Sequence, residues 1–271
     1  MPTTNTDVQV GSLELAASAP RLFLQTSPEY AMKRLLAAGS GSIFQIGHAF
    51  RQDERGQRHN PEFSLLEWYR EDYDYQQLMD EIELLITTLS LRHCDFSRIT
   101  YRQLFAQSLN LNINGISLDD LRGECTRSVP GCESQALDFD QCLDLLLALV
   151  IAPAMRGYQF VYDYPRSQAA LARISASDPD VAERFELFYD GVELANGFSE
   201  LTDADQQRAR FEADNRLRAQ QGLPQHDIDE RLLAALEHGL ENCAGVALGL
   251  DRLLMVLLDL DAIDQVLTFR A

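Results

Sequence analysis

Lysine is nearly absent from this chain: 22 of its 23 basic residues are arginine, and Lys33 is the exception. Cations as a whole are scarce, 23 against 42 Asp plus Glu, which gives a formal net charge of −19. No basic run exceeds two residues. A field of that sign repels phosphate backbones, so tRNA, DNA and anionic membranes are disfavoured as partners. A basic protein or a cationic small molecule suits it better. Long apolar runs are missing too. The longest uncharged one, Leu145 to Met155, is far below the roughly 20 residues of a membrane span. The first twenty residues lack a basic start followed by an apolar core, so no secretory signal is expected and the cytoplasm is the expected compartment. The five cysteines (Cys94, Cys125, Cys132, Cys142, Cys243) are odd in number and show no C-x-x-C spacing. Zinc ligation and a disulfide framework are therefore poorly supported, and buried reduced thiols are expected. With no G-x-x-x-x-G-K-[ST], an ordinary P-loop is excluded.

What is present is a globular composition, 46% hydrophobic and 24% charged over 271 residues. That is enough for one large domain or two small ones. Residues 1–20 are small and polar and are expected to be loosely held, with the structured domain at 21–271. Residues 28–40 read as a helix, with Ser27 as cap, Pro28 in the first turn and Gly39 as stop. Residues 43–50 and 62–70 read as strands flanking a polar loop, and 74–92 as an amphipathic helix. The stretch 92–156 reads as mostly helical, with a loop around Val129 to Cys132. Residues 158–163 form a strand, followed by Pro165 and a helix. A hairpin at 184–198, helices at 206–221 and 228–240, a strand at GVALGL and a long helix from Asp251 complete the pattern. Strands joined by hairpins, with helices to the side, predict an α+β domain with an antiparallel sheet. Lys33 reads as a solvated helix lysine.

Three segments can carry chemistry. In RFELFYDGVELANG, Asp190-Gly191 is a two-residue turn signal. It pairs Tyr189 with Val192, Phe188 with Glu193 and Glu186 with Ala195. Glu186, Phe188, Glu193 and Ala195 then share a face, and two carboxylates aimed at one spot suit Mg²⁺ carrying substrate phosphates. The plain alternative is a solvated outer face. In FRQDERGQRHNPEFSLLEWY, strand parity groups Phe63, Leu65, Glu67 and Tyr69, with Leu66 and Trp68 turned into the core. Arg51 can grip an anion in bidentate fashion, Phe63 offers a stacking surface, and His59 is the histidine of interest. The alternative is a charged loop beside an amphipathic strand. In GVALGLDR, Gly245, Ala247 and Gly249 leave room for a ligand to approach the backbone. Asp251 can cap the next helix, where Arg252 in the first turn calls for a nearby anion. The alternative is a small-residue strand with an incidental Arg.

Together these segments resemble the catalytic core of class II aminoacyl-tRNA synthetases, lysine branch. The Arg-led hairpin ending in H-N-P-E-F looks like motif 2, G-x-G-x-D-R like motif 3, and FELFYDGVELANGFSEL like the branch signature. Within the branch, QTSPEYAMKRLLAAGSG, HNPEFSLLEWYR, ELANGFSELTDADQQRARFEADN and GLPQHDID are closer still to the stand-alone paralogues that ligate (R)-β-lysine to elongation factor P. The resemblance runs from about residue 21 to 269. It implies ATP bent over its phosphates on an antiparallel sheet and an aminoacyl-adenylate formed by in-line attack. By position, Arg51 would grip the α-phosphate and Arg252 the γ-phosphate as the catalytic pair. Gln52, Asp53, Asn60 and Phe63 would surround adenine, with His59 near the phosphates. Glu186 and Glu193 would hold Mg²⁺-ATP beside Leu194 and Gly249. Ser27, Pro28, Glu29, Glu67, Tyr69, Asn196, Glu200 and Ala247 would line the amino-acid pocket, with Tyr69 and Glu200 gripping the side-chain amine. No general base is required, because electrostatic stabilisation of the transferring phosphoryl group does most of the work.

Asp53 stands where the family carries Glu. Ala247 stands where lysyl-tRNA synthetases carry Gly and the β-lysine ligases Ala. No counterpart of motif 1, which builds the family's dimer interface, is recognised, and the resemblance sets in just after it. A homodimer is expected from the family alone. Two readings compete with the ligase: an enzyme that activates L-lysine for tRNA, and a non-catalytic synthetase-like regulatory subunit.

Overall fold

The structure, a computed structural model, describes residues 1–16, 20–52, 54–90 and 92–269. Asp53 lies outside the described residues. The chain divides into two compact units, Met1–Asp74 with Ser199–Ala271, and Tyr75–Phe198.

In the first unit, helix α1 (Glu29–Ala37) leads into strands β1 (Ile43–Phe50) and β2 (Glu62–Glu71). The C-terminal part adds α6 (Ala204–Gln220), α7 (Glu230–His238), β7 (Cys243–Gly249) and α8 (Leu250–Leu257). β2 pairs antiparallel with β1 on one side and β7 on the other. The apolar stripe of α1, with Met32 and Leu36, packs on Leu232, Leu233 and Leu236 of α7, the spacing a helix needs to bury one face. Tyr30 of α1 lies against Phe211 of α6 with ring centroids 5.7 Å apart. In residues 1–16, Thr3 donates to Asp229 (2.6 Å) and Thr6 to Asp214 (2.7 Å), and the Thr6 side chain is buried.

In the second unit, α2 (Tyr75–Leu89) precedes β3 (Phe96–Thr100), α3 (Tyr101–Leu109), α4 (Leu118–Ser128) and α5 (Phe139–Leu146). Strands β4 (Tyr158–Pro165), β5 (Val181–Tyr189) and β6 (Val192–Ser199) follow, with the last residue of β6 belonging to the first unit. β3 runs parallel to β4, while β4–β5 and β5–β6 are antiparallel. Tyr101, Phe105, Leu121, Leu143 and Leu146 from the three helices form the core with Phe188 of β5. All five cysteines are free thiols; Cys125, Cys142 and Cys243 are buried, whereas Cys94 and Cys132 are half-buried.

Several local expectations are corrected. β3 interrupts the stretch read as helical; five residues between polar neighbours give too little alternation to be seen. The helix expected after Pro165 is a single 3-10 turn, Arg166–Gln168. The helix expected to run long from Asp251 ends at Leu257. Pro28 occupies the N-cap position of α1, while Ser27, one residue earlier, accepts the N–H of the first helical residue, Glu29, on its Oγ at 3.0 Å. Asp251 caps no helix: its Oδ2 accepts from the Ser64 backbone N–H of β2 at 2.6 Å. Trp68 is buried as read, but its β1 neighbour on the same face, Phe44, is 73% exposed.

Candidate active site

Alternation along β2 puts Phe63, Leu65, Glu67 and Tyr69 on one face. The register sets Leu65 opposite Gly249, Glu67 opposite Ala247 and Tyr69 opposite Gly245 on β7. On the other side Phe63, Leu65 and Glu67 face Ala49, Gly47 and Gln45 of β1. The polar residues of β2, Glu67 and Tyr69, thus face small ones, Ala247 and Gly245, on the β7 side. Gly245 has a specific reason to be glycine: a Cβ there would run into the ring of Tyr69 and the carboxylate of Glu200.

At the Glu67–Tyr69 end is a buried acidic cluster. Glu67 Oε1 accepts from Tyr69 Oη at 2.6 Å and its Oε2 from Ser27 Oγ at 2.7 Å. Ser27 Oγ in turn accepts from the Glu29 N–H at 3.0 Å. Glu200, just beyond β6, is fixed by its backbone N–H to Cys243 O (2.9 Å). Lys33 reaches into the cluster from α1, its Nζ 2.6 Å from Glu29 Oε1 and 2.5 Å from Glu200 Oε2. Lys33 and Glu200 are each 1% exposed, so the reading of a solvated lysine is overturned. Burial would push this ammonium toward neutrality, but the fields of Glu200 and Glu29 outweigh it and hold the proton more firmly than usual. Burial raises the Glu67 carboxyl to about 7, helped by Glu29 and opposed by the Tyr69 and Ser27 hydroxyls. Burial raises Glu200 as well, against the pull of Lys33. The other Glu200 oxygen, Oε1, is buried without a hydrogen-bond donor, a costly state that an incoming ammonium would relieve.

Farther along β2 the loop 51–61 gathers cations. Arg51 lies over the Phe63 ring at 5.1 Å and its guanidinium is 3.5 Å from Glu54. His59 and Arg252 approach the same Glu54 carboxylate at 3.8 and 3.9 Å. Arg51, His59 and Arg252 thus meet around one carboxylate, and the buried Arg51 Nε has no hydrogen-bond partner. Asn60 is buried and its amide donates to Glu62 O at 2.6 Å, holding the loop end. The Gln52 N–H donates to Gly11 O at 2.8 Å. Arg252, in the first turn of α8, donates to Arg58 O at 3.2 Å.

In the second unit, Asp190 and Gly191 adopt φ of 45° and 76°, the left-handed pair that a two-residue turn needs. Tyr189 faces Val192 and Phe188 faces Glu193. A bulge then intervenes: Leu187 pairs with Ala195, and Glu186 with Asn196 instead of the expected Ala195. Leu194 is the extra residue. The bulge turns Ala195 to the far face and brings Asn196 beside Glu186, while Glu186 and Glu193 still share theirs. Burial and the charge of Glu193 raise the Glu186 carboxyl, with Arg184 opposing. Arg184 donates to Glu186 (2.5 Å) and to Asn196 Oδ1 (3.2 Å), and lies over Tyr164 at 4.5 Å. Among the described residues no three His, Cys, Asp or Glu side chains form a metal-holding group.

The sequence reading missed the parts played by Lys33, Arg184 and Glu54, and it singled out Gly245 without the packing reason for it. Lys33 was signalled by its i,i+4 relation to Glu29, Arg184 by its i+2 relation to Glu186, and Glu54 by being an acid in an Arg-rich loop. The need for glycine at 245 had no local signal.

An Arg-led hairpin, a small-residue strand feeding a helix that opens with Asp-Arg, and acidic strands with helices beside them define a class II synthetase-type catalytic domain. The chain belongs to that family: residues 5–271 match the tRNA synthetases class II (D, K and N). It is 48% identical over 258 residues to the elongation factor P–(R)-β-lysine ligase of Yersinia enterocolitica, covering 94% of this chain and 79% of the relative. To the ligase of that name from Hamiltonella defensa it is 46% identical over 277 residues (98% and 84%), and to that from Pectobacterium carotovorum 47% over 260 residues (94% and 79%). The names of these relatives favour the ligase reading over a tRNA-charging enzyme or a non-catalytic subunit.

Proposed function

We propose that the chain activates (R)-β-lysine with ATP and transfers it to a lysine side chain of elongation factor P. The observation that carries the substrate side is Glu200 Oε1, a buried carboxylate oxygen without a donor, in a cluster of three carboxylates and one ammonium. Such a cluster suits a diammonium substrate. Tyr69 and Glu200 hold its side-chain amine, and Ser27, Pro28, Glu29 and Glu67 line the rest. The Ala247 methyl, across from Glu67, narrows the floor relative to glycine.

The phosphate side fits as well. Arg51 and Arg252 bring two guanidinium charges to the Glu54 carboxylate with His59 beside them, a setting that suits a polyanion. Arg51 takes the α-phosphate and Arg252 the γ-phosphate, while Phe63 offers its ring to adenine beside Gln52, Asp53 and Asn60. Glu186, whose proton affinity burial and the charge of Glu193 raise, would with Glu193 suit Mg²⁺. ATP would supply the phosphorus that the substrate carboxylate attacks, and Mg²⁺ held by Glu186 and Glu193 would supply positive charge for the pyrophosphate leaving group. The arginines stabilise charge on the transferring group, so no protein base is needed. The ligase acts in the cytoplasm, as a homodimer, on a protein acceptor and not on tRNA. Among the described residues no helix is long and apolar enough to cross a membrane.

The test is ATP–pyrophosphate exchange with (R)-β-lysine, (S)-β-lysine and L-lysine side by side. The strongest exchange is expected with (R)-β-lysine; stronger exchange with L-lysine would favour the tRNA-charging reading. Glu200→Ala should weaken amino-acid binding and leave ATP binding largely intact.

A further inference from the structure

We infer that Lys33 is a positioning residue for the amine pocket. Its ammonium, fixed between Glu29 Oε1 and Glu200 Oε2, occupies one oxygen of Glu200 and keeps the other an acceptor for one substrate ammonium. The inference rests on the proposed function and adds to it the device that sets how many positive charges the pocket takes.

The groups that face Lys33 are Glu29 on its own helix and Glu200 beyond β6, with Glu67 and Tyr69 of β2 completing the cluster. Three carboxylates meet one ammonium. Burial already raises the proton affinity of Glu200 against the pull of Lys33, and without Lys33 it would be a buried carboxylate against two others and would hold a proton more firmly still. A protonated Glu200 spends an oxygen as donor and no longer offers a charge to an ammonium, so the substrate amine would lose its charge-assisted bond. A lysine, and not an arginine, matches the task, because a compact ammonium can sit between two carboxylates in a space with 1% exposure. Lys33 itself is sealed and protonated, so it is neither a nucleophile nor a base. A purely structural ion pair would tie α1 to the chain beyond β6 and affect stability alone. A charge-setting pair also shifts the pH dependence of amino-acid binding.

One measurement needs no substitution, since the chain has a single lysine. Protein grown with ¹³C-lysine gives one Cε signal, that of Lys33. It should stay at its protonated position through mildly alkaline pH and move when unlabelled (R)-β-lysine is added. A signal that titrates near neutrality, or one unmoved by a saturating amino acid, overturns the inference. The second measurement is the amino-acid KM of Lys33→Ala in pyrophosphate exchange as a function of pH, with ATP binding followed separately by calorimetry. At neutral pH the KM should rise about tenfold or more, the scale of one lost charge-assisted bond, with kcat changed far less. The KM should recover toward alkaline pH as Glu200 ionises, and propylammonium, which matches the deleted side chain, should restore it at neutral pH. An unshifted KM profile in a variant that still binds ATP overturns the inference. Should the variant not fold, the Cε signal of the unsubstituted protein decides. Absence of amino-acid-dependent exchange in the unsubstituted protein would count against the proposed function, and the Cε titration would still report whether Lys33 is held as described.

Discussion

Tyr69 Oη donates a 2.6 Å hydrogen bond to Glu67, two residues earlier on the same strand and the same face. The phenol thus keeps a 2%-exposed carboxylate supplied with a donor, and both groups meet Glu200 and Glu29 in the same cluster. Tyr69→Phe removes one of the two hydroxyls that Glu67 depends on. Losing a buried hydrogen bond to a charged group costs about 1–3 kcal/mol. The amino-acid KM should rise by about one order of magnitude, while the KM for ATP stays within a factor of about two. Pyrophosphate exchange at varied substrate checks both.

Glu67 also makes stability depend on pH. Its carboxyl titrates near 4.5 in the unfolded chain and near 7 when buried, so between those values the folded state binds more protons. Stability from this group is present at acid pH and is lost as pH rises from about 4.5 to 7. Thermal melts of Glu67→Gln should lack that downward slope. An identical slope in both proteins would assign the effect to another group.

Gly245→Ala places a methyl on the Tyr69 ring and the Glu200 carboxylate. Overpacking of this kind costs about 1–3 kcal/mol, and here the groups forced aside are those of the amine pocket. The melting temperature should fall by several degrees and amino-acid binding should weaken, with both read on one sample by calorimetry.

Arg184→Met leaves Glu186 facing Glu193 without its cation. Breaking a buried pair costs about 3–5 kcal/mol. Glu186 already holds its proton more tightly than the 4.5 of a free carboxyl, and the variant should hold it tighter still. The destabilisation should therefore be small in acid and grow as pH rises. Mg²⁺ at millimolar concentration should recover part of it; no recovery would count against a cation at this carboxylate pair.

Where the pattern is local, the sequence was readable. The alternation Phe63, Leu65, Glu67, Tyr69 gave one face because strand side chains alternate, and Asp190-Gly191 gave the turn because few other pairs tolerate two positive φ values. The same hairpin then escaped prediction at Leu194, since a bulge is set by what packs around both strands and not by the residue itself. Lys33 escaped for a different reason. A Glu four residues before a Lys on a helix is the usual mark of a solvated pair, and only Glu200, distant in the chain, turns that pair inward. β3 was too short to announce itself, and the packing that demands glycine at 245 comes from side chains on other elements.

The buried state of Lys33 has a chemical consequence for an enzyme of the proposed kind. A β-lysyl adenylate, a mixed anhydride, acylates amines: the amine nitrogen forms the new bond to the acyl carbon, AMP departs, and the nitrogen gives up a proton. The sole lysine side chain of this chain keeps its proton and is enclosed by two carboxylates, so it has no free electron pair to offer. A β-lysyl adenylate released near these 271 residues would find no exposed lysine among them to label, and the intermediate would be left for another acceptor.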